Sequence, residues 1–276
     1  MPLKLTKRLL LWSALSAIAL IAVPGSIAQP PFPASQTVAG DTVHEAVSTR
    51  TRRRIALVPL KATVTTTANT TTLLAIVNQP EIKEAQRLLA DATLRALPSH
   101  CRDNLKNFSV RYDNFEKRGL GGKTTIIIDG SVPDSEFIAL LTHECAHVIH
   151  SNLMGSAESS PSAFKDGKSI IYTNSPLVSF FSLSWSNEKV LNVGITNADF
   201  VSGYAKADPF EDFAETFAAY VLHPQAIEAQ AKESKVIAAK LQWMKLNLPL
   251  SNLTASNYNW NGTVPWDITK LTFAWK

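Results

Sequence analysis

The sequence predicts an α+β fold, in which one domain over residues 80–276 combines a small mixed sheet with several amphipathic helices. Apolar residues recur at helical spacing in separate stretches, and two short β-prone runs lie between the first two of them. The helical stretches are 81–97, 134–150, 209–221 and 224–248, and the β-prone runs are 108–112 and 124–129. A length of about 195 residues suffices for one compact hydrophobic core.

Residues 1–28 form a predicted secretory signal peptide. Basic residues precede an apolar stretch from Leu9 to Val23, and the small residues Ser26-Ile27-Ala28 follow it. The apolar stretch is short for a membrane span, so no stable span is expected after cleavage, and an uncleaved N-terminal anchor is the alternative. These features predict a secreted, periplasmic or extracellular protein.

Residues 29–79 form a predicted leader, because the segment from Gln29 to Pro33 is Pro-rich and the segment from Thr63 to Thr72 is Thr-rich without periodicity. A propeptide and a flexible spacer both fit this composition. Without the signal peptide the chain has 24 basic and 23 acidic residues, so its net charge falls from +4 to +1. A nearly neutral chain argues against nucleic-acid binding.

After the leader, a helix is predicted over residues 81–97 and a strand over 108–112. The predicted buried face of the helix consists of Ile82, Ala85, Leu88, Leu89 and Ala92. A second strand, Thr124 to Asp129, follows a Gly-rich turn. This strand is interpreted either as an edge that pairs with an extended peptide or as a core strand of the sheet.

The next predicted helix, with Asp134 or Ser135 as its N-cap, contains the segment His143-Glu144-Cys145-Ala146-His147. Positions 143 and 147 lie about 40° apart around a helix axis, so both imidazoles can bind one metal ion. Glu144 can contact a water on that metal without being a ligand. This HExxH pattern predicts zinc-dependent hydrolysis, and an ordinary polar helix face is the alternative.

The apolar residues Ile138, Leu141, Cys145 and Ile149 form the predicted buried face of the same helix. His150 is interpreted as a surface residue near the helix end, although it could also approach the metal.

A third metal ligand is predicted in the helix that begins after the N-cap Asp208. Glu211, Asp212 and Glu215 place three negative charges within little more than one turn, and a cation opposite them would stabilise such a helix. We therefore interpret Glu211 as a ligand. Its alternative role is to cap the helix as the N3 partner of Asp208. The apolar stripe consists of Phe210, Phe213, Phe217 and Val221.

Tyr204 lies in a Gly-containing loop seven residues before Glu211. The HExxH segment, Tyr204 and the sequence from Glu211 to Glu215 together resemble the gluzincin metallopeptidases, in particular the family of the anthrax lethal factor catalytic domain and related secreted bacterial proteins. The resemblance covers roughly residues 80–230 and departs from the family pattern at Cys145-Ala146.

The resemblance implies a single zincin-like metallopeptidase domain, with an HExxH active-site helix followed by a Glu-bearing helix. It implies that Zn²⁺ is bound by His143, His147 and Glu211. It also implies that Glu144 is the general base, that Tyr204 supplies a hydroxyl to the transition state, and that Glu215 orients a ligating His. From the residues alone, packing is the favoured interpretation of Tyr204, because a single Tyr in a loop is more often a packing residue.

Two features near these helices remain open from the sequence. For Cys101 and Cys145, two buried thiols are the favoured interpretation and a disulfide is the alternative. For the C-terminal aromatic residues, packing on the domain is favoured over binding a wall polymer or lining distal subsites. These aromatic residues are Tyr258, Trp260, Trp266 and Trp275.

The sequence thus predicts a secreted zinc metalloendopeptidase that acts on a peptide or protein substrate, without nucleic acid. Two hypotheses from other classes compete with it: a catalytically silent zinc-binding module, and a cell-envelope-binding protein whose zinc is structural. No oligomeric state is predicted.

Overall fold

The computed structural model describes residues 72–113, 117–250 and 258–273. All of them belong to one of two compact units, residues 66–276. The described part has an α+β fold with seven α-helices and three small sheets, as predicted. The predicted signal peptide and most of the predicted leader lie outside the described residues, so the division into signal, leader and domain stays a prediction.

The helices are α1 (Glu84–Ala96), α2 (Ser99–Asn104), α3 (Asp134–Asn152), α4 (Pro176–Phe181), α5 (Pro209–Leu222), α6 (Pro224–Glu233) and α7 (Lys235–Asn247). The strands are β1 (Asn107–Arg111), β2 (Gly119–Gly121), β3 (Thr125–Asp129), β4 (Pro161–Asp166), β5 (Ser169–Tyr172), β6 (Trp185–Asn187) and β7 (Val190–Leu191). Short 3-10 helices occur at Asn197–Asp199, Tyr204–Lys206 and Ile268–Lys270.

The main sheet has the strand order β1-β3-β2, with β1 parallel and β2 antiparallel to β3. The predicted strand at 124–129 is therefore the central strand, and its interpretation as a substrate-pairing edge is wrong. Both of its edges are occupied because β2, which was predicted only as a Gly-rich turn, pairs with it. The edge strand beside α3 is β2.

Helix α3 lies at the centre of the fold and packs against α1, α2, α5 and the main sheet. Its predicted apolar face is buried, and so are His143 and Glu144, because α5 and β2 cover the opposite side. The predicted N-cap, Asp134 or Ser135, is wrong: Pro133 is the N-cap, and its carbonyl accepts from the N–H of Phe137, 2.8 Å away.

The predicted buried face of the first helix is wrong for Ala85, Leu88 and Ala92, which are exposed, and correct for Ile82, which is buried just before α1 begins. Leu88 is 54% exposed, whereas Gln86 and Asp91 are buried. Both polar side chains are satisfied: Gln86 donates to the carbonyl of Gly130 at 2.9 Å, and Asp91 accepts from the N–H of Leu74 at 2.7 Å. These hydrogen bonds offset the cost of burying polar groups, so the helix can turn this face inward.

The stretch predicted as helical from Pro224 to Leu248 forms two helices, α6 and α7, with a break at Ser234. Ser234 is extended and caps α7 by accepting from the N–H of Ile237 at 3.2 Å. Helix α7 carries Lys240, which is fully buried and forms an ion pair with Asp212 of α5 at 2.7 Å. Trp185 donates to the same carboxylate at 3.0 Å.

Cys101 of α2 and Cys145 of α3, which are 44 positions apart in the sequence, form a disulfide. The favoured interpretation of two buried thiols is therefore wrong. The spacing around α3 directs Cys145 away from the imidazole side of the helix, and α2 packs on that opposite side. Neither cysteine is available as a metal ligand.

Among the residues that the structure describes, none of the helices combines the length and the hydropathy needed to cross a membrane.

Candidate metal centre

The three predicted metal ligands come together between α3 and α5. The Nε2 atoms of His143 and His147 lie 3.3 Å apart. Glu211 Oε2 lies 3.1 Å from His143 Nε2 and 3.6 Å from His147 Nε2. In the described part of the chain, these residues form the group of His, Cys, Asp and Glu side chains that could hold a metal ion.

The spacing of these three atoms fits zinc. Ligands about 2.0–2.1 Å from a tetrahedral zinc ion lie roughly 3.3–3.4 Å from one another. The three measured separations, 3.1, 3.3 and 3.6 Å, fall around that value. They therefore match one face of a tetrahedron, which leaves the fourth position for water or substrate.

The chemistry of the donor set also suits a cation. Glu215 Oε1 lies 2.9 Å from Nδ1 of His143 and can accept its proton, which in the neutral ring leaves the lone pair of Nε2 for a metal ion. This Nε2 faces the carboxylate of Glu211 at 3.1 Å, so a metal ion or a second ring proton is needed to offset the repulsion between them. Burial would raise the pKa of Glu211, but hydrogen bonds from the imidazoles of His143 and His147 outweigh it and lower that pKa strongly.

Local sequence explains how Glu211 reaches this position. Asp208 caps α5 with its own side chain, which accepts from the N–H groups of Phe210 and Glu211 at 2.8 and 2.9 Å. The predicted cap is confirmed. The Glu211 carboxylate contacts the imidazoles of α3, so capping alone does not account for it.

Glu215 is a fully buried carboxylate that joins three segments of the site. Besides His143, it accepts from the hydroxyl of Ser202 at 2.6 Å and from the N–H of Ile268 at 2.9 Å. A carboxylate with three donors is held firmly, and it fixes the tautomer and the orientation of His143. The sequence predicted its contact with a His but gave no signal for Ser202 or Ile268, which lie far from it along the chain.

Glu144 lies under the edge strand β2. A Cβ atom on Gly121 would lie 2.7 Å from the carbonyl oxygen of Glu144 and 2.8 Å from its carboxylate, and Gly119 contacts the same side chain. The two glycines therefore allow the strand to cross the helix at this point. Burial raises the pKa of Glu144, while the two imidazoles and the N–H of Gly121 partly oppose that effect.

Tyr204 lies in a short 3-10 helix and is 37% exposed. Its ring centroid is 6.2 Å from that of His143. Burial, the charge of Glu211 and a hydrogen bond to the same carboxylate raise the pKa of the Tyr204 hydroxyl, so it stays protonated and can donate. The structure thus brings Tyr204 to the metal centre and not to the core.

A cleft of about 750 Å³ opens over these residues. His143, Glu144, His147, Tyr204 and Glu211 all line it. Residues of the β4–β5 hairpin and of the C-terminal segment also line it. The cleft therefore gives an extended ligand access to all of the predicted site residues.

His150, predicted as a surface residue, is buried in the cleft wall, so this prediction is wrong. Its Nε2 lies 3.1 Å from Asp166 of β4, and its ring stacks on Phe210 with the centroids 5.1 Å apart. Burial lowers the pKa of His150. The hairpin and α5 cover the end of α3, and neither contact is visible in the local sequence around His150.

The C-terminal segment, residues 258–273, returns to the metal centre. The carbonyl groups of Pro265 and Trp266 accept from the N–H groups of Gly203 and Tyr204 at 2.8 and 2.7 Å. Arg118, just before β2, forms an ion pair with Asp267 and donates to the hydroxyl of Thr269 at 2.9 Å. The interpretation of the aromatic residues as packing residues is wrong for Trp266, which is 75% exposed in the cleft. Trp275 lies outside the described residues.

Residues 136–264 match a family model described as "Putative zinc-binding metallo-peptidase". The matched segment contains the three donors together with Glu144, Tyr204 and Glu215. No curated protein and no solved structure matches the chain. The family and the His143-His147-Glu211 group agree on zinc as the metal, whereas the resemblance to the lethal factor family stays a prediction.

Proposed function

We propose that this protein is a secreted zinc-dependent endopeptidase that hydrolyses peptide bonds with a water molecule. One observation carries the proposal: three donor atoms span one face of a tetrahedron, and a carboxylate that is not one of the three donors, Glu144, lines the same open cleft. Structural zinc sites are closed by four protein ligands, whereas catalytic sites keep one position open.

His143, His147 and Glu211 are the proposed ligands. Zinc held by them would polarise the scissile carbonyl and lower the pKa of a bound water. Glu215 and its donors keep His143 in the tautomer that presents Nε2 toward the ion. Removing this carboxylate would leave the ligand free to rotate.

Glu144 is the proposed general base. Its carboxylate takes a proton from the attacking water and passes it to the leaving amine. Two features suit that role: burial raises the pKa of Glu144, and the N–H of Gly121 together with the crossing strand holds the side chain in place. The proton therefore moves between fixed positions in a site that is partly shielded from solvent.

Tyr204 is the proposed donor to the oxyanion. Its protonated hydroxyl lines the cleft next to Glu211, and its backbone is held by the carbonyl of Trp266. A fixed donor that faces developing negative charge stabilises the transition state more than the substrate.

The edge strand β2 is the proposed binding site for the substrate backbone. It lines the cleft directly above Glu144, and the outer edge of such a strand, apart from the N–H of Gly121 that donates to Glu144, offers N–H and C=O groups to an extended peptide. An extended substrate bound along β2 would carry its scissile bond past the metal centre.

The test compares the wild type with Glu144→Gln, using a mixture of peptides and mass spectrometry of the products. We expect cleavage by the wild type, loss of cleavage with a chelator and recovery with added zinc. The amide of Glu144→Gln keeps the shape but cannot accept a proton, so the variant should bind zinc and cleave about 10²–10⁴ times more slowly.

Glu158→Gln is the matched control, because Glu158 is exposed and lies away from the cleft. It should cleave like the wild type. Comparable cleavage by Glu144→Gln would exclude Glu144 as the base. No cleavage of any peptide by the zinc-loaded wild type would instead support a catalytically silent zinc-binding module.

A further inference from the structure

Trp266 is the most exposed of the large apolar side chains that the structure describes in the cleft. It is 75% exposed, compared with 44% for Leu120 and 37% for Tyr204. An indole that contacts water over most of its surface gains little from folding, so packing does not explain its position. We propose that Trp266 binds a large apolar side chain of the peptide substrate, an inference that rests on the proposed endopeptidase function.

The backbone around Trp266 is fixed on both sides. Its own carbonyl and that of Pro265 accept hydrogen bonds from Tyr204 and Gly203, and the N–H of Ile268 donates to the buried carboxylate of Glu215. The indole is therefore presented by a rigid segment that is anchored to the catalytic residues. A side chain held in this way loses little conformational entropy when a ligand binds.

One part of the indole lies on Gly203. A Cβ atom at that position would come within 2.6 Å of Trp266 Cε3, so only glycine leaves room for the ring. The glycine backbone supports the indole from one side, and the exposed remainder of the ring is open to the cleft. This arrangement forms a flat apolar platform beside Tyr204.

The occupant is inferred from the neighbouring strand. Arg118, which immediately precedes β2, pairs with Asp267, the residue that follows Trp266. The platform is thus attached to the N-terminal end of β2, the edge strand that would bind a peptide backbone. Gly119 and Gly121 face α3, so Leu120 points to the other side of the strand. An extended peptide along β2 would pass this end and place one side chain on the indole.

Aromatic and large aliphatic side chains are the chemical class that fits. A flat indole offers dispersion contacts and aromatic stacking, and aromatic pairs add roughly threefold to tenfold in affinity beyond the area they bury. Small or charged side chains gain much less from such a surface. Trp266 should therefore set a preference for Phe, Tyr, Trp, Leu or Met at one substrate position.

The first experiment measures this preference as kcat/KM for peptides that differ at a single position, with Phe, Leu, Ala or Ser. We expect the wild type to prefer Phe over Ala by about tenfold at one position, and Trp266→Ala to lower that ratio to about twofold or less. Trp266→Phe should keep most of the preference. Zinc content and thermal midpoint show whether each variant is folded.

Trp260→Ala is the matched control. Trp260 belongs to the same C-terminal segment but lines a separate cavity near Gln230, outside the cleft. Its substitution should leave the Phe-to-Ala ratio unchanged. A ratio that survives in Trp266→Ala, or that falls equally in Trp260→Ala, would overturn the proposal while leaving the peptidase activity itself established.

The second experiment measures binding without catalysis. Fluorescently labelled peptides are titrated onto zinc-loaded Glu144→Gln, alone and combined with Trp266→Ala. Tighter binding of the Phe peptide, lost with Trp266→Ala, supports the platform even if the wild type cleaves nothing, which would overturn only the proposed hydrolysis. Soluble cell-wall glycan fragments are titrated in parallel. Glycan binding that depends on Trp266, with peptide binding unaffected, would overturn the assignment to peptides.

Discussion

The hydroxyl group of Tyr204 could act in catalysis, or the residue could serve only as a packing side chain. If the hydroxyl donates to the oxyanion, Tyr204→Phe should lower kcat by about 10²–10³-fold while KM and zinc content change little. If the ring only packs, the same substitution should change neither activity nor stability appreciably. The side chain is 37% exposed in the cleft and its hydroxyl forms a hydrogen bond with Glu211, which favours the loss of activity.

Tyr172→Phe provides the comparison for this measurement, because Tyr172 lies in β5 and does not line the cleft. Steady-state kinetics of the two variants, with metal analysis of each, decide between the roles. A fall in kcat of less than about threefold in Tyr204→Phe would remove the hydroxyl from the proposed mechanism.

Residues of the site could be predicted from the sequence where their relation is local. Spacing on one helix is enough to place His143 and His147 side by side, and the cap at Asp208 fixes the start of the helix that carries Glu211. His150 lies on the same helix, yet its burial depends on Asp166 and Phe210. Those partners come from other elements, so no local pattern reveals them.

At the scale of elements, α5 is joined to α7 by the buried ion pair between Asp212 and Lys240. Breaking one side of a buried pair leaves an uncompensated charge and typically costs about 3–5 kcal/mol. Lys240→Met should therefore lower the free energy of unfolding by about that amount, measured by urea denaturation of the zinc-loaded protein.

The double variant Asp212→Leu/Lys240→Met separates charge from packing. It removes both charges and replaces them with apolar side chains, so it should recover most of the loss. The N–H group of Trp185 would lose its acceptor, which limits the recovery. If the double variant is as unstable as the single one, the loss reflects packing and not the unpaired carboxylate.

Element-level patterns failed where polar side chains are buried. The α+β class and the positions of α1, α3 and α5 were predicted correctly, but the buried face of α1 was assigned to Leu88, whereas Gln86 and Asp91 are buried. Hydrophobic periodicity treats Gln and Asp as outward-facing, and their hydrogen bonds to Gly130 and Leu74 are long-range. The three acidic residues of α5 predicted a nearby positive charge. For Asp212 that charge is Lys240 of α7.

At the scale of the whole molecule, the site is assembled from distant parts of the chain. Glu215 joins α3 to Ile268 near the C-terminus, and Arg118 joins β2 to Asp267. These contacts span 53 and 149 positions of the sequence. The aromatic residues of the C-terminal segment are visible in the sequence, but their position in the fold is not. Only the folded chain places Trp266 in the cleft.

The disulfide between Cys101 and Cys145 links α2 to the helix that carries both His ligands, because Cys145 lies between the two His residues of α3. A cross-link that closes a loop of this length restricts the unfolded chain and contributes about 4 kcal/mol by loop entropy. We expect Cys101→Ala/Cys145→Ala to lose about 2–5 kcal/mol of unfolding free energy, yet to bind zinc while folded, since neither sulfur faces the metal.

Denaturation curves with and without a reducing agent test this prediction. Reduction should destabilise the wild type toward the level of the double alanine variant and leave that variant unchanged. Thiol titration of the denatured, unreduced wild type should find no free thiol, and two free thiols would contradict the cross-link. Because disulfides persist in oxidising compartments, protein made in a reducing cytosol should have the lower stability of the variant, whereas exported protein should not. That difference would link the fold of the metal helix to the export proposed from the N-terminal sequence.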